Sequence, residues 1–149
     1  MGMRRIVRFQ ESLLKETGQR FGLTLCETTI LAFLYNNPEY DTAADIVQLR
    51  MLSKGNVSSA VESLLQKNLL EKHQDVSDRR VYHLSLTETA APVSDAIKEV
   101  NAAIERKVFQ GISPEERAMI ESVNVRISRN MNTLNETENE AERKGICKK

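Results

Sequence analysis

The sequence predicts a mainly α-helical fold with one small β-hairpin, an α+β architecture. Through most of the 149 residues, apolar side chains recur every three or four positions, which is the spacing of amphipathic helices. Capping residues such as Thr24, Thr42 and Ser53 precede these apolar segments. The period changes to two only in 81–86, VYHLSL, so a single strand pair is expected among the helices.

Composition limits the classes of function. Lys+Arg and Asp+Glu are each 21, so the formal net charge is zero and only a local basic patch could bind nucleic acid. The two cysteines, Cys26 and Cys147, form neither a CxxC pair nor a zinc-ligand spacing, so we expect a reducing compartment and no metal site. No Ser-His-Asp set, paired inward carboxylates or phosphate-binding glycine loop is apparent. We therefore expect neither an enzyme nor a cofactor.

The N-terminal segment and the apolar runs both favour a cytoplasmic chain. The first residues include Arg4, Arg5 and Arg8 and lack the apolar core of a signal peptide. The longest apolar runs are far too short to cross a bilayer. We therefore expect no membrane partner.

Two helices are predicted first. Helical spacing of the apolar residues predicts the first over 3–21. Thr24, with Glu27 three residues later, has the pattern of a capping box. The second helix is therefore expected over 25–36, where an Asn-Pro step ends it.

Two short helices joined by a tight turn are expected next. Thr42 caps the first, Ala43 to about Arg50, and Ser53 caps the second, Lys54 to about Lys67. Because only Met51 and Leu52 separate them, the two helices must cross at a steep angle. That crossing is the helix-turn-helix arrangement.

A β-hairpin is predicted directly after the helix-turn-helix. Asn68 is expected in the left-handed conformation at the helix end. Strands over 70–73 and 81–86 then flank a polar turn, 75–79. Two adjacent arginines, Arg79 and Arg80, lie at the tip, and exposed arginines held on a stiff turn suit an anionic partner.

A long helix is predicted after the hairpin, ending near Gln110-Gly111. Either Thr87 or Thr89 could cap it. Pro92 fits the first turn only if Thr89 is the cap, so we expect a delayed start or a bend.

The last helix has a strong start signal in Ser113-Pro114-Glu115-Glu116, which combines a cap, a proline at N1 and a capping-box glutamate. Its apolar stripe continues to Leu134, and the charged segment from Asn135 is expected to fray. The first helix and the last two each carry an apolar face that the middle of the chain is too small to cover. This favours a dimer interface over a self-contained bundle.

The order of these parts resembles the MarR family of bacterial winged-helix transcription regulators. The similarity spans residues from about 20 to 134. Four fragments carry it: LTLCETTILAFL (23–34), LSKGNVSSAVESLLQKNLLEK (52–72), DVSDRRVYHLSLTE (75–88) and GISPEER (111–117).

The resemblance implies a single MarR-like domain over 1–149. Within it, 25–86 would be the winged helix-turn-helix lobe, 1–22 and 111–134 dimerisation helices, 87–110 a long connecting helix and 135–149 the frayed tail. It implies a homodimer that binds a pseudo-palindromic operator in double-stranded DNA. We expect a repressor that a small-molecule effector relieves.

The resemblance also implies which residues contact DNA. In the recognition helix they are Ser53, Lys54, Asn56, Ser58 and Ser59. In the wing they are Ser77, Asp78, Arg79 and Arg80, with Arg79 in the minor groove and Asp78 orienting an arginine. Many family members carry basic residues near the positions of Ser59 and Ser63, and this chain does not. The salt dependence of affinity should therefore be shallow.

Other interpretations of particular residues remain open. Cys26 lies in the first turn of a helix, where a lowered thiol pKa would suit an oxidant sensor, although a small buried residue is the simpler interpretation. His73 and His83 suit packing or a phosphate contact better than a metal. A winged-helix module that binds protein instead of DNA is the alternative from another class. Four aromatic residues are candidates for an effector pocket or, more simply, for the core: Phe21, Phe33, Tyr35 and Tyr40.

Overall fold

The computed structural model describes the backbone of residues 2–143 and the side chains of residues 2 and 4–131. The chain divides into two compact units, the first ending at Val108 and the second beginning at Phe109. The helices are α1 (Gly2–Arg20), α2 (Leu25–Asn36), α3 (Ala43–Arg50), α4 (Lys54–Gln66), α5 (Ala91–Val108) and α6 (Pro114–Arg143), and the strands are β1 (Leu70–Gln74) and β2 (Tyr82–Leu86). The predicted mainly α, winged-helix class is confirmed.

Local capping explains where α2, α3 and α4 begin. The Thr24 hydroxyl accepts the Glu27 N–H at 3.2 Å, while the Glu27 carboxylate accepts the Thr24 N–H at 2.7 Å. Thr42 and Asp45 form the same reciprocal pair at the start of α3. Met51 adopts the left-handed conformation with φ of 52°, which turns the chain sharply between α3 and α4. The predicted helix-turn-helix is therefore present.

The wing is an antiparallel pair in which Leu70 lies opposite Leu86 and Gln74 opposite Tyr82. Asn68 has the predicted positive φ, 56°, at the end of α4. After β2 a 3-10 turn, Glu88–Ala90, precedes α5, so Pro92 lies in the first turn of the α-helix. The expected delayed start is confirmed.

The first unit has one apolar core, to which helices α1 to α5 and both strands contribute. α1 approaches α2 and the turn before it closely at Gly18, where an added Cβ would clash with the Thr28 side chain and lie 2.9 Å from the Leu23 carbonyl oxygen. Several side chains of this core are almost fully buried: Leu14, Ile30, Leu31, Ile46, Val57, Leu64 and Ile97. Because Val57 and Leu64 belong to α4, this packing fixes the orientation of α4 through its buried face.

The second unit contains α6, which begins with the predicted capping box between Ser113 and Glu116. The backbone is helical past Asn135 as far as Arg143, the last described residue, and the expected fraying of the tail stays a prediction. No proline or glycine occurs between Pro114 and Gly145, so no residue in that segment breaks the helix. Residues 144–149, and with them Cys147, lie outside the described residues. Over 2–143, no helix has the length and apolar character needed to span a bilayer.

Candidate nucleic-acid interface

The outward face of α4 is polar and nearly neutral. Val57, Ala60 and Leu64 form its buried face. The opposite face exposes Lys54, Gly55, Asn56, Ser58, Ser59 and Glu62. Ser53 is also exposed, but its hydroxyl oxygen already accepts the Asn56 N–H at 3.2 Å and caps the helix. All five residues predicted for the recognition helix are therefore accessible.

A buried carboxylate fixes α4 against α2. Glu27, only 2% exposed, accepts hydrogen bonds at one oxygen from the Ser63 hydroxyl at 2.6 Å and from the Lys67 ammonium at 2.7 Å. Burial opposes ionisation, but the bonds from Lys67, Ser63 and Thr24 outweigh it and lower the pKa of Glu27 to about 2. The carboxylate is therefore charged at neutral pH, and it ties the start of α2 to the C-terminal half of α4.

The turn of the wing is organised by Asp75. One oxygen of this carboxylate accepts the Ser77 N–H at 2.7 Å, the Ser77 hydroxyl at 2.6 Å and the Asp78 N–H at 2.7 Å. The other oxygen lies 3.0 Å from Nε2 of His83. Hydrogen bonds from the Ser77 side chain and from His83 hold the pKa of Asp75 well below its usual range. The turn is thus held by an ionised side chain.

The two wing arginines differ in their surroundings. Asp78 accepts hydrogen bonds from the Arg80 backbone N–H at 3.0 Å and from its Nε at 3.2 Å, as predicted for one of the pair. These bonds lower the pKa of Asp78. At Arg79 the backbone carbonyl accepts a bond from Gln74 Nε2 at 2.7 Å, whereas among described residues the guanidinium has no hydrogen-bonded or ionic partner. Arg79 is therefore the more available cation.

Comparison with known proteins agrees with this geometry. Residues 21–81 match the model of the MarR family. A MarR family regulator from Silicibacter pomeroyi is 24% identical with a TM-score of 0.69, over 85% of this chain and 86% of that one. A MarR family regulator from Listeria monocytogenes, complexed with a 26mer DNA, is 17% identical with a TM-score of 0.72, over 87% and 86%. The resemblance to the MarR family is confirmed.

BpsR of Bordetella bronchiseptica has the same MarR-like fold. It is 22% identical with a TM-score of 0.58, over 85% of this chain and 95% of that one. The DNA binding of BpsR is regulated by 6-hydroxynicotinic acid. At these identities the structural likenesses establish the fold of the present chain.

Within the MarR-like lobe, Cys26 is half-buried at the start of α2. Its Sγ lies 3.8 Å from the backbone oxygen of Asn56 in α4. Burial, and then the neighbouring Glu27 carboxylate, raise the pKa of this thiol. The reactive thiolate is therefore scarcer at neutral pH than in a free cysteine, opposite to the shift that an oxidant sensor needs.

A cleft of about 570 Å³ lies in the first unit, between α1, α2 and the turn that joins α3 to α4. Its lining includes Val7 and Gln10 of α1, Thr29 of α2, Met51 of the turn and Asn56 of α4. It is lined by residues other than the four aromatic candidates. Phe33 lies in the core and Phe21 packs against it, whereas Tyr35 and Tyr40 are exposed, so the core interpretation is wrong for the two tyrosines.

The two histidines of the wing have different roles. His73 and His83 lie directly opposite each other in the sheet. His73 is exposed and has Glu71 3.4 Å from its Nε2, whereas both ring nitrogens of His83 contact carboxylates. Among the residues described, no three His, Cys, Asp or Glu side chains are arranged so that they could hold a metal ion. The contacts of His83 with carboxylates could not be predicted from the sequence, because one partner, Asp41, lies 42 positions away.

Proposed function

We propose that this chain is a sequence-specific, DNA-binding transcription regulator that acts as a homodimer in the bacterial cytoplasm. One observation carries the proposal: a wing whose turn is held by Asp75 exposes Arg79 on the same lobe that exposes the polar face of α4. The domain division follows the family pattern, with 25–86 as the DNA-binding lobe, 1–22 and 111–134 as dimerisation helices and 87–110 as the connection. The relative from Listeria monocytogenes, complexed with DNA, supports the same partner here.

Within this proposal, α4 reads bases in the major groove and the wing contacts the backbone and minor groove. Asn56 would pair with adenine, and Ser58 and Ser59 would bond base edges or phosphates. A planar guanidinium such as that of Arg79 suits both a phosphate and a narrow minor groove. Lys54 adds one positive charge at the start of α4, while Ser53 serves mainly as its cap.

The homodimer is supported by the outer surface of α6. Among the described residues of this helix, five large apolar side chains are exposed: Met119, Ile120, Val125, Ile127 and Met131. Such a face is unfavourable in water and suits burial against a second copy. Ile127→Glu should therefore shift sedimentation equilibrium toward monomer, whereas Ser128→Glu, which adds the same charge at an exposed neighbouring position, should leave the dimer intact. Equal effects of the two changes would contradict this interface.

We further propose that DNA binding represses transcription and that a small molecule relieves it. The cleft beside Met51 and Asn56 adjoins the start of α4, where an occupant would bias its position. Regulation of BpsR by 6-hydroxynicotinic acid supports effector control in a protein of this fold. An oxidant switch at Cys26 is disfavoured because its thiol pKa is raised.

The test is selection of DNA from a random-sequence library, followed by fluorescence anisotropy with the recovered duplex. A scrambled duplex of equal length is the control. We expect the selected duplex to bind at least about a thousandfold more tightly, the usual lower range for specific regulators. Equal, weak binding of both duplexes would refute the proposal and favour a winged-helix module that binds protein.

A further inference from the structure

His83 joins the body of the winged helix to the tip of the wing. Its Nδ1 lies 2.7 Å from Oδ1 of Asp41, which belongs to the loop between α2 and α3. Its Nε2 lies 3.0 Å from Oδ2 of Asp75, which begins the wing turn. One ring therefore bridges two segments that are far apart in the sequence.

The protonation state of the His83 ring decides whether both contacts can be hydrogen bonds. An ionised carboxylate can only accept hydrogen bonds, and a neutral imidazole has a single N–H to donate. Both contacts are hydrogen bonds only when the ring is an imidazolium, because the neutral ring would aim a lone pair at one carboxylate. The bonds to Asp41, and then to Asp75, accordingly raise the pKa of His83.

Asp75 transmits the position of His83 to the turn. While one of its oxygens contacts the ring, the other accepts the N–H groups of Ser77 and Asp78. The backbone reinforces the link, since the Leu84 N–H donates to the Asp41 carbonyl at 2.7 Å. The guanidinium of Arg79 is thus presented by a turn whose anchor is held by His83.

Other titratable groups surround the ring less directly. His73 lies opposite His83 on β1, but its carboxylate neighbour, Glu71, is at 3.4 Å and exposed. The elements packed against β2 carry further titratable or charged groups. These are Glu71, Lys72 and His73 of β1; Asp75, Asp78, Arg79 and Arg80 of the turn; Glu39, Tyr40 and Asp41 of the loop; Asp45 and Arg50 of α3; and Cys26, Glu27 and Tyr35 of α2. Of these, Asp41 and Asp75 are the two whose oxygens contact the His83 ring.

We propose that His83 is a positioning residue for the wing, which as an imidazolium holds Asp75 and the Arg79 turn against the body, so that DNA binding weakens as pH rises. The DNA-binding part rests on the proposed function. We call the two hydrogen bonds from His83 to Asp41 and Asp75 the clamp. Because folding raises the pKa of His83, the clamp is complete below the ordinary value of 6.5 and is lost as pH rises through the raised folded value. DNA affinity should follow the same profile.

The clamp itself can be tested on the free protein by NMR. The two histidine Cε1 signals are followed from about pH 5 to pH 9 and assigned with His73→Gln. We expect His83 to titrate above the ordinary histidine value of 6.5, and Asp41→Asn to lower the His83 midpoint while the protein stays folded. A His83 midpoint at or below 6.5 would overturn the clamp without any reference to DNA.

Its consequence is tested by anisotropy with the selected duplex at about pH 6 and pH 8.5 and constant ionic strength. The wild-type protein should bind about fivefold more weakly at the higher pH. His83→Gln should bind at that weaker level at both pH values, and the matched His73→Gln should keep the wild-type profile. Identical profiles for wild type and His83→Gln would refute the positioning role. If no duplex binds at any pH, the proposed function fails while the NMR titration still decides on the clamp.

Discussion

The two parts of the candidate DNA interface are held in place in different ways. α4 is fixed from its buried side, where the Glu27 carboxylate accepts hydrogen bonds from Ser63 and Lys67. The wing is fixed at the surface by Asp75 and its contacts with Ser77 and His83. Buried ionic contacts are screened far less than exposed ones. The orientation of α4 should therefore tolerate salt and near-neutral changes of pH that loosen the wing.

The two parts also differ in what they present to a nucleic acid. α4 exposes small polar groups together with one base, Lys54, and one acid, Glu62. The wing exposes two arginines, Arg79 and Arg80. We infer that α4 discriminates between DNA sequences, whereas the wing supplies the salt-dependent attraction to phosphate.

The largest effect should come from removing the buried anchor of α4. Glu27→Ala leaves the Thr24 N–H, Ser63 and Lys67 without their shared acceptor and should lower the free energy of unfolding by about 3 kcal/mol. Urea denaturation measures this. Glu62→Ala, which removes an exposed carboxylate from α4 itself, should change the same quantity by less than about 0.5 kcal/mol. Similar losses for both would show that α4 has no buried anchor.

The same carboxylate predicts a particular acid sensitivity. Because folding lowers the pKa of Glu27 from 4.5 to about 2, its contribution is present above the unfolded value and is lost as pH falls toward 2. Between about pH 5 and pH 2, wild type should lose about 2 kcal/mol more unfolding free energy than Glu27→Gln. Glu62→Gln should keep the wild-type slope in the same urea titrations. A Glu27→Gln slope equal to that of wild type would contradict the assignment.

A smaller effect is expected from the wing. Arg79→Ala should weaken binding of the selected duplex about tenfold without changing the fold. Arg106→Ala removes the same charge near the end of α5, about 22 Å along that helix from its first residue, and should have little effect on DNA affinity. Anisotropy at matched salt separates the two. If they weaken binding equally, net charge and not the wing accounts for the loss.

The smallest change should follow substitution of a single base-reading side chain. Asn56→Ala should reduce discrimination at one base pair by about 1 kcal/mol, because an amide reads adenine through two hydrogen bonds. A panel of duplexes with single substitutions locates that position. Gln66→Ala removes an exposed amide from the far end of α4 and should leave the whole panel unchanged. If Asn56→Ala and wild type show the same relative affinities across the panel of duplexes, Asn56 does not read a base.

The local parts of the fold could be predicted from sequence because their signals lie within a few residues. The capping pairs of Thr24 with Glu27 and of Ser113 with Glu116 are of this kind, as is Asn68 at the end of α4. The helical backbone between Asn135 and Arg143 follows equally from a local signal, the absence of proline and glycine from that segment.

The long-range parts of the site could not be predicted in the same way. Glu27 was assigned only its capping role, since Ser63 and Lys67 lie 36 and 40 positions away and meet it through the packing of α2 on α4. His83 likewise meets Asp41 only because the wing folds back on the loop before α3. No periodicity encodes either contact. The aromatic residues show the same limit, because residue type alone does not say that Phe33 is buried while Tyr35, two positions later on α2, is exposed.

The separate roles of α4 and the wing can be tested by measuring the affinities of two variants for two duplexes over a series of salt concentrations. Anisotropy titrations of Arg79→Ala and Asn56→Ala, against the selected and the scrambled duplex, give the affinity and its salt slope for each pair. Arg79→Ala should weaken binding of both duplexes alike and reduce the salt slope by about 1, whereas Asn56→Ala should weaken only binding of the selected duplex and leave the slope unchanged. Two variants that lose affinity in the same pattern would contradict these separate roles.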